Sequence, residues 1–212
     1  HIVVGNDGEQ IKEQVSRFSI RNEVSWILQR EQLGTAHAVQ QAVPQFESQA
    51  EGDHILVLYG DVPLIKPDTL VQLLSNTKTG SIGILTLITE NNRGLGRILR
   101  DKSDKIIGIV EEKDASDLQK EIKEVNSGIM ALPADRLATW LCKIENNNQQ
   151  SEYYLTDIIK LAASEKVAIN SRVIPNEIEA QGVNDKSQLA LLERHFQMTN
   201  CEELLDKGVI II

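Results

Sequence analysis

The chain has 212 residues, 41 % hydrophobic and 25 % charged, which suits one large globular domain and excludes disorder as the main state. A balance of 31 acidic to 22 basic residues leaves a net charge of −9, which argues against a nucleic-acid binder, since that needs a dense basic patch. Two cysteines, Cys142 and Cys201, are too few for a disulfide scaffold, and no apolar run approaches ~18 residues, so a cytoplasmic protein without a membrane span is expected.

In chain order, strand patterns are predicted at 1–5, 24–29, 55–60, 83–89, 105–111, 125–132 and 167–174. Helical patterns fall at 9–18, 35–43, 67–76, 134–144, 156–165 and 186–206. The alternation predicts an α/β domain with a mostly parallel sheet flanked by helices. Residues 1–184 are expected to form the domain, and 185–212 a long helix leading away from it, with Leu189, Leu192, His195 and Phe196 at helical spacing. His1-Ile2-Val3-Val4-Gly5 opens the chain without an initiator Met, and Val209-Ile210-Ile211-Ile212 closes it. Natural termini are usually polar and frayed, so excision from something longer is expected.

The sequence around Asp61 carries the most chemistry. In Leu58-Tyr59-Gly60-Asp61-Val62-Pro63-Leu64 a continuously apolar strand, as expected of one covered on both faces, ends in Gly and an acid. Ligands of open α/β sheets collect beyond the carboxyl ends of strands, and a carboxylate there suits Mg²⁺. The alternative is a turn acid, because Gly-Asp is a common turn pair.

Gln29-Arg30-Glu31-Gln32-Leu33-Gly34-Thr35-Ala36-His37-Ala38 joins a strand to a helix. Gln29 has the paired donor and acceptor to read a nucleobase, Gly34 lets the backbone approach a ligand, and Thr35 can cap the helix, whose first amides suit an anion. A plain strand–turn–helix connection is the alternative, and His37 is expected to have no catalytic role.

Gly94-Leu95-Gly96-Arg97-Ile98 lacks the third Gly of a dinucleotide fingerprint and reads as a hairpin bend or a close approach to a sugar. Glu111 at one strand end and Asn126 early in another offer groups that hold sugar hydroxyls and an acetamido group, whereas Glu112, Lys113 and Asp114 read as surface charge. In Glu152-Tyr153-Tyr154-Leu155-Thr156-Asp157 the tyrosines are expected to pack, and Thr156 or Asp157 to cap a helix. In Gln181-Gly182-Val183-Asn184-Asp185, Asn184 or Asp185 either caps the last helix or offers oxygen to a cation. No zinc spacing, Gly-x-Ser-x-Gly elbow or Walker loop is present.

Taken together, Gln29–Val39, Leu58–Ile65, Gly94–Ile98, Ile109–Asp114, Glu124–Gly128, Glu152–Ile159 and Gly182–Asn184 fall in the order and spacing of a known family. Across essentially the whole chain they resemble the uridyltransferase (pyrophosphorylase) domain of the bacterial bifunctional N-acetylglucosamine-1-phosphate uridyltransferase/glucosamine-1-phosphate acetyltransferase.

That resemblance implies a Rossmann-like nucleotide-diphospho-sugar transferase fold. The implied reaction turns UTP and N-acetylglucosamine 1-phosphate into UDP-N-acetylglucosamine and pyrophosphate, a precursor step for peptidoglycan and lipopolysaccharide. It also implies that Gln29 and Gly34 hold the uracil, that Thr35, Tyr59, Gly60, Gly96, Glu111 and Asn126 line the sugar, and that Asp61 and Asn184 bind Mg²⁺. The family's N-terminal Gly-x-Gly-Thr-Arg-Met loop and its Pro-Lys pair have no match; Gly5-Asn6-Asp7-Gly8 is not that loop. An Arg contact to the transferring phosphoryl is worth ~10³-fold or more, so this polypeptide by itself is expected to be inactive or nearly so. The family's C-terminal β-helix, with its acetyltransferase activity and homotrimer, has no counterpart here either. A nucleotidyltransferase for another sugar, and a non-enzymatic nucleotide-sugar-binding or regulatory module, are the competing readings.

Overall fold

The structure, a computed structural model, describes residues 1–5, 7–18, 24–46 and 52–211. Asn6 and Ile212, which belong to segments singled out above, lie outside the described residues.

The chain begins with β1 (Ile2–Val4), α1 (Gly8–Ser16) and β2 (Trp26–Leu28); β1 and β2 pair in parallel, Ile2 opposite Trp26 and Val4 opposite Leu28. Next come α2 (Thr35–Ala42) and a 3₁₀ turn at Val43–Gln45 where Pro44 cannot continue the helix. β3 (His54–Val57) leads to α3 (Pro67–Asn76), whose Pro at the first helical position gives up an amide that has no partner there anyway.

The remaining strands are β4 (Ile82–Ile88), β5 (Arg97–Arg100), β6 (Ile106–Val110), β7 (Glu124–Pro133) and β8 (Ile169–Val173). The remaining helices are α4 (Asp117–Lys120), α5 (Ala134–Leu141), α6 (Asp157–Ser164) and α7 (Lys186–Asp206), with a 3₁₀ turn at Glu177–Ala180. No helix among the described residues is long and apolar enough to cross a membrane.

β7 organises the larger sheet, whose order is β6-β5-β7-β4-β8 with β3 also on β7. One flank of β7 takes β4. The other takes β3 near its carboxyl end (Val57 opposite Met130) and β5 near its start (Arg97 opposite Val125). Four of the six strands, β3, β4, β5 and β8, run one way, while β7 and β6 run against them. The α/β architecture with strands mostly pointing in one direction therefore stands, with β6 and β7 as the antiparallel members that the sequence pattern did not single out.

Both faces of this sheet are covered, which explains the continuous burial from Ile82 to Leu87 in β4 and from Val125 to Pro133 in β7. Ile82, Ile84, Met130 and Leu132 meet Trp140 and Leu141 of α5 and Ile158 and Ile159 of α6. Leu85, Leu87, Ile129 and Ala131 meet Leu73 of α3 on the opposite face.

β3 meets its expectation only in part. Its four residues are only half-buried and Leu58 is exposed, because among the described residues β3 has a strand neighbour on one side alone. Ile55 and Val57 pack on the cluster of one sheet face and Leu56 on that of the other, so the expected cover on both faces is present, though partial, at an edge beside the site. α7 is also loosely held: Leu192 is its one buried residue, while Leu189 and Phe196 are exposed. Cys142 and Cys201 are free and exposed.

Candidate functional site

The site grows from the gap that β3 and β5 leave on their shared flank of β7. Within that gap β7 reaches Gly128, whose φ of 84° lies in the left-handed region that a side chain disfavours. A Cβ there would stand 1.9 Å from Cε2 of Tyr59. The phenol ring therefore lies directly on bare backbone, and β3 stops at Val57 as the chain turns inward to place it. Asn126 helps shape this bend: its side-chain oxygen accepts from the Gly128 amide at 3.1 Å, while its own backbone N–H donates to Gly96 O at 2.8 Å.

Glu111, just past β6, completes the wall. Its carboxylate accepts from the Thr156 hydroxyl at 2.8 Å, and a Cβ on Gly96 would lie 3.3 Å from its Oε2. Burial pushes the Glu111 carboxyl above its ordinary value, against the opposing effect of the Thr156 hydrogen bond, with Asp157 and Asp114 adding to the rise. Burial, then Glu111 and Asp61, push Tyr59 up to about 12, so its hydroxyl stays protonated at neutral pH and works as a neutral donor and acceptor. Tyr59, Gly96, Glu111 and Asn126 are thus brought to one wall.

Thr35 does not cap α2. Gly34 holds the cap position, and the Thr35 hydroxyl instead accepts from Leu155 N at 3.0 Å and supports the Tyr59 phenol. Nor is the start of α2 a free anion site, because the Ala36 amide donates to Tyr153 O at 2.9 Å. This close zipper dictates Gly34: with φ 117°, a Cβ would stand 2.6 Å from Tyr153 O. Gln29 is buried beside it, donating to Gly34 O at 3.2 Å with its amide 3.1 Å from His37 Nδ1. His37 accordingly orients Gln29, and Gln41 contacts its other ring nitrogen.

Three further expectations change. Thr156 sits at the start of α6 without capping it, since its hydroxyl goes to Glu111. Glu112 is not mere surface charge: it accepts from the Gly94 amide and stands 3.9 Å from the guanidinium of the buried Arg97. Gly94 and Gly96 lead into β5 and are braced against the loop after β6, so the hairpin turn itself falls later, between β5 and β6.

The opposite side of the site is built from loops. Asp61 is exposed, its carbonyl accepts from Val183 N at 2.9 Å, and a Cβ on Gly182 would lie 3.5 Å from its Oδ2. Capping of α7 falls to Asp185, which accepts from Gln188 N at 2.8 Å, while Asn184 uses its backbone N–H on Gln188 Oε1. The Asn184 side chain is thereby released from the capping role. Gly60 is exposed, with open space where a side chain would be. Among the described residues no group of three or more His, Cys, Asp and Glu side chains is placed to hold a metal.

Sequence reasoning passed over Gly128, Thr156 and Arg97. The Asn-Ser-Gly run inside an apolar strand was the signal for Gly128, because an isolated Gly in a strand marks a bulge or a close approach.

Comparison with known proteins agrees with this geometry. The profile of the MobA-like NTP transferase domain matches residues 1–150. The protein named Bifunctional protein GlmU is 43 % identical over 211 residues in Pseudomonas syringae pv. syringae and in Pseudomonas putida, and 42 % in Pseudomonas fluorescens. Each match covers 100 % of this chain and 45 % of the relative, so the chain spans a little under half the length of these relatives. With a profile match over residues 1–150, most of its length, the chain belongs to the MobA-like NTP transferase family.

Proposed function

We propose that the chain is the nucleotidyltransferase part of a cytoplasmic enzyme that makes UDP-N-acetylglucosamine and pyrophosphate from UTP and N-acetylglucosamine 1-phosphate. The observation that carries this reading is the wall of Tyr59, Gly96, Glu111 and Asn126 around Gly128, with Tyr59 two residues before Asp61. Glu111 and Asn126 give it the paired acceptor and amide that an acetamido sugar requires. With its amide nitrogen engaged by the Gly34 carbonyl and His37, Gln29 keeps its carbonyl oxygen to accept from a pyrimidine N–H.

A divalent cation fits the donor set at Asp61. Carboxylate and amide oxygens are hard ligands, and the bare Gly182 leaves room beside Asp61 Oδ2. Asp61 and Asn184 would hold it, and a Mg²⁺ ion there would neutralise phosphate charge that this acidic chain cannot. In the reaction a phosphate oxygen of the sugar 1-phosphate bonds to the α-phosphorus of UTP, and the bond from that phosphorus to the bridging oxygen breaks, releasing pyrophosphate. No protein nucleophile is required. The residues here act by binding and orienting, which is most of what such a transfer needs.

Calorimetric titration of the chain with UDP-N-acetylglucosamine and UDP-glucose, each with and without Mg²⁺, tests the proposal. The expected result is preference for the N-acetylated sugar and tighter binding with Mg²⁺. Equal, weak, Mg²⁺-independent binding of both would overturn it.

A further inference from the structure

We infer that Glu179 is a positioning residue for the cation ligands, a reading that rests on the role proposed above for Asp61 and Asn184. Glu179 lies in the 3₁₀ turn Glu177–Ala180 and is 5 % exposed, and the next residue, Ala180, belongs to the apolar cluster of Leu73 and Leu85. A carboxylate so deeply placed persists only when it is hydrogen-bonded and paired. Both conditions are met: the Thr69 hydroxyl donates to its Oε2 at 2.6 Å, and Lys66 Nζ stands 3.7 Å from its Oε1.

The partners explain what the burial achieves. Thr69 and Lys66 sit at the start of α3, on the segment that begins with Asp61. Glu179 sits on the segment that ends with Asn184. Neither ligand lies within a strand or helix, so no ladder or helical turn sets their separation. The two segments are instead joined by ties: Val183 N to Asp61 O at 2.9 Å, and Thr69 to Glu179. A third bond, from the Thr89 hydroxyl to Glu177 at 2.9 Å, holds the far end of the second segment to the end of β4. Of these, the Thr69–Glu179 bond is the buried one between side chains, and water competes with it least. It fixes the register in which Asn184 arrives beside Asp61. Residues that orient metal ligands from behind typically change metal affinity by about 10- to 100-fold when removed.

The test uses Mn²⁺ as the probe, followed by electron paramagnetic resonance on the chain in the presence of UDP-N-acetylglucosamine. Nucleotide-sugar affinity without metal is measured in parallel. Glu179→Ala is expected to weaken Mn²⁺ binding about tenfold or more, with metal-free affinity held within about twofold as a local change requires. Thr69→Val should give the same split, and it decides the matter if Glu179→Ala fails to fold. Glu179→Gln keeps an acceptor for Thr69 and should recover most of the Mn²⁺ affinity. Wild-type Mn²⁺ binding in both Glu179→Ala and Thr69→Val overturns the inference, as does a parallel loss of metal-free affinity or no rescue by Gln. Asp61→Asn and Asn184→Ala separate the two levels. If they abolish Mn²⁺ binding while Glu179→Ala and Thr69→Val bind Mn²⁺ as tightly as the wild type, only the positioning role falls. If they leave Mn²⁺ binding intact, the cation reading falls and takes this inference with it.

Discussion

Tyr59 and Asp61 are two residues apart, yet they belong to differently built halves of the site. Tyr59 lies on the backbone of β7, between strands and next to the half-buried Glu111, where a Cβ on Gly128 would collide with its ring. Asp61 is exposed, on a turn, facing a segment with neither strand nor helix. The wall proposed for the sugar is thus set by the sheet as it folds, whereas the side proposed for the cation is set by a few hydrogen bonds between loops. Pre-organisation costs stability where it is violated in the first half and affinity where it is violated in the second.

The largest expected effect comes from breaking the rigid half. Gly128→Ala forces a methyl group into the Tyr59 ring at a φ that suits only glycine, and should cost about 3 kcal/mol or more of unfolding free energy. Urea melts would show it as a fall in midpoint, and a change below about 0.5 kcal/mol would mean that the ring does not rest there as described. The second effect tests the other half. Asp61→Ala, at an exposed position, should leave unfolding free energy within about 0.5 kcal/mol while removing the Mg²⁺ enhancement of nucleotide-sugar binding. A large loss of stability would erase the distinction between the halves.

The smallest effect is electrostatic and sharpens the comparison within the wall itself. Glu111 has its carboxyl raised above the unfolded value of 4.5. The folded state therefore holds that proton more tightly. The stability this contributes is complete below pH 4.5 and is lost as pH rises through the raised folded value. Glu111→Gln, which never titrates and still accepts from Thr156, should gain in melting temperature over the wild type at pH 7. That difference should shrink as the pH is lowered toward 4.5. A difference that is constant across this range would show that Glu111 is not held in the protonation-favouring environment described.

Much of the architecture was legible because helix signals here are strong. The range 67–76 and the range 186–206 match α3 and α7 residue for residue, one begun by Pro67 and the other capped by Asp185. β5 escaped notice because it is four residues long and carries Arg at both ends. Arg97 is nevertheless buried, its guanidinium taken up by the Leu95 and Lys120 carbonyls and by Glu112, all distant or irregular in sequence. Periodicity cannot register a charge that tertiary partners make acceptable. α4 was missed for its brevity, although Ser116 and Gln119 form a capping box whose spacing was readable.

At the site, residue types pointed to Glu111 and Asn126, whose carboxylate and amide advertise chemistry, while Tyr59 was reached only through the family resemblance. The properties that matter most at Gly128, a backbone angle and a neighbour almost seventy positions away, are not written in local pattern. Thr156 illustrates the same limit: a hydroxyl at a helix start looks like a cap until the fold supplies a better acceptor.

The central place of β7 also has a consequence for how the chain comes together. β3 closes its ladder on that strand, with His54 opposite Pro133, and β5 does so through Val125. During synthesis from the amino end, β3 leaves the ribosome long before its partner exists, and pairings between distant residues are the slow ones. These pairings should therefore acquire protection from proteolysis in a late step, once Pro133 has emerged, and the β8 edge later still.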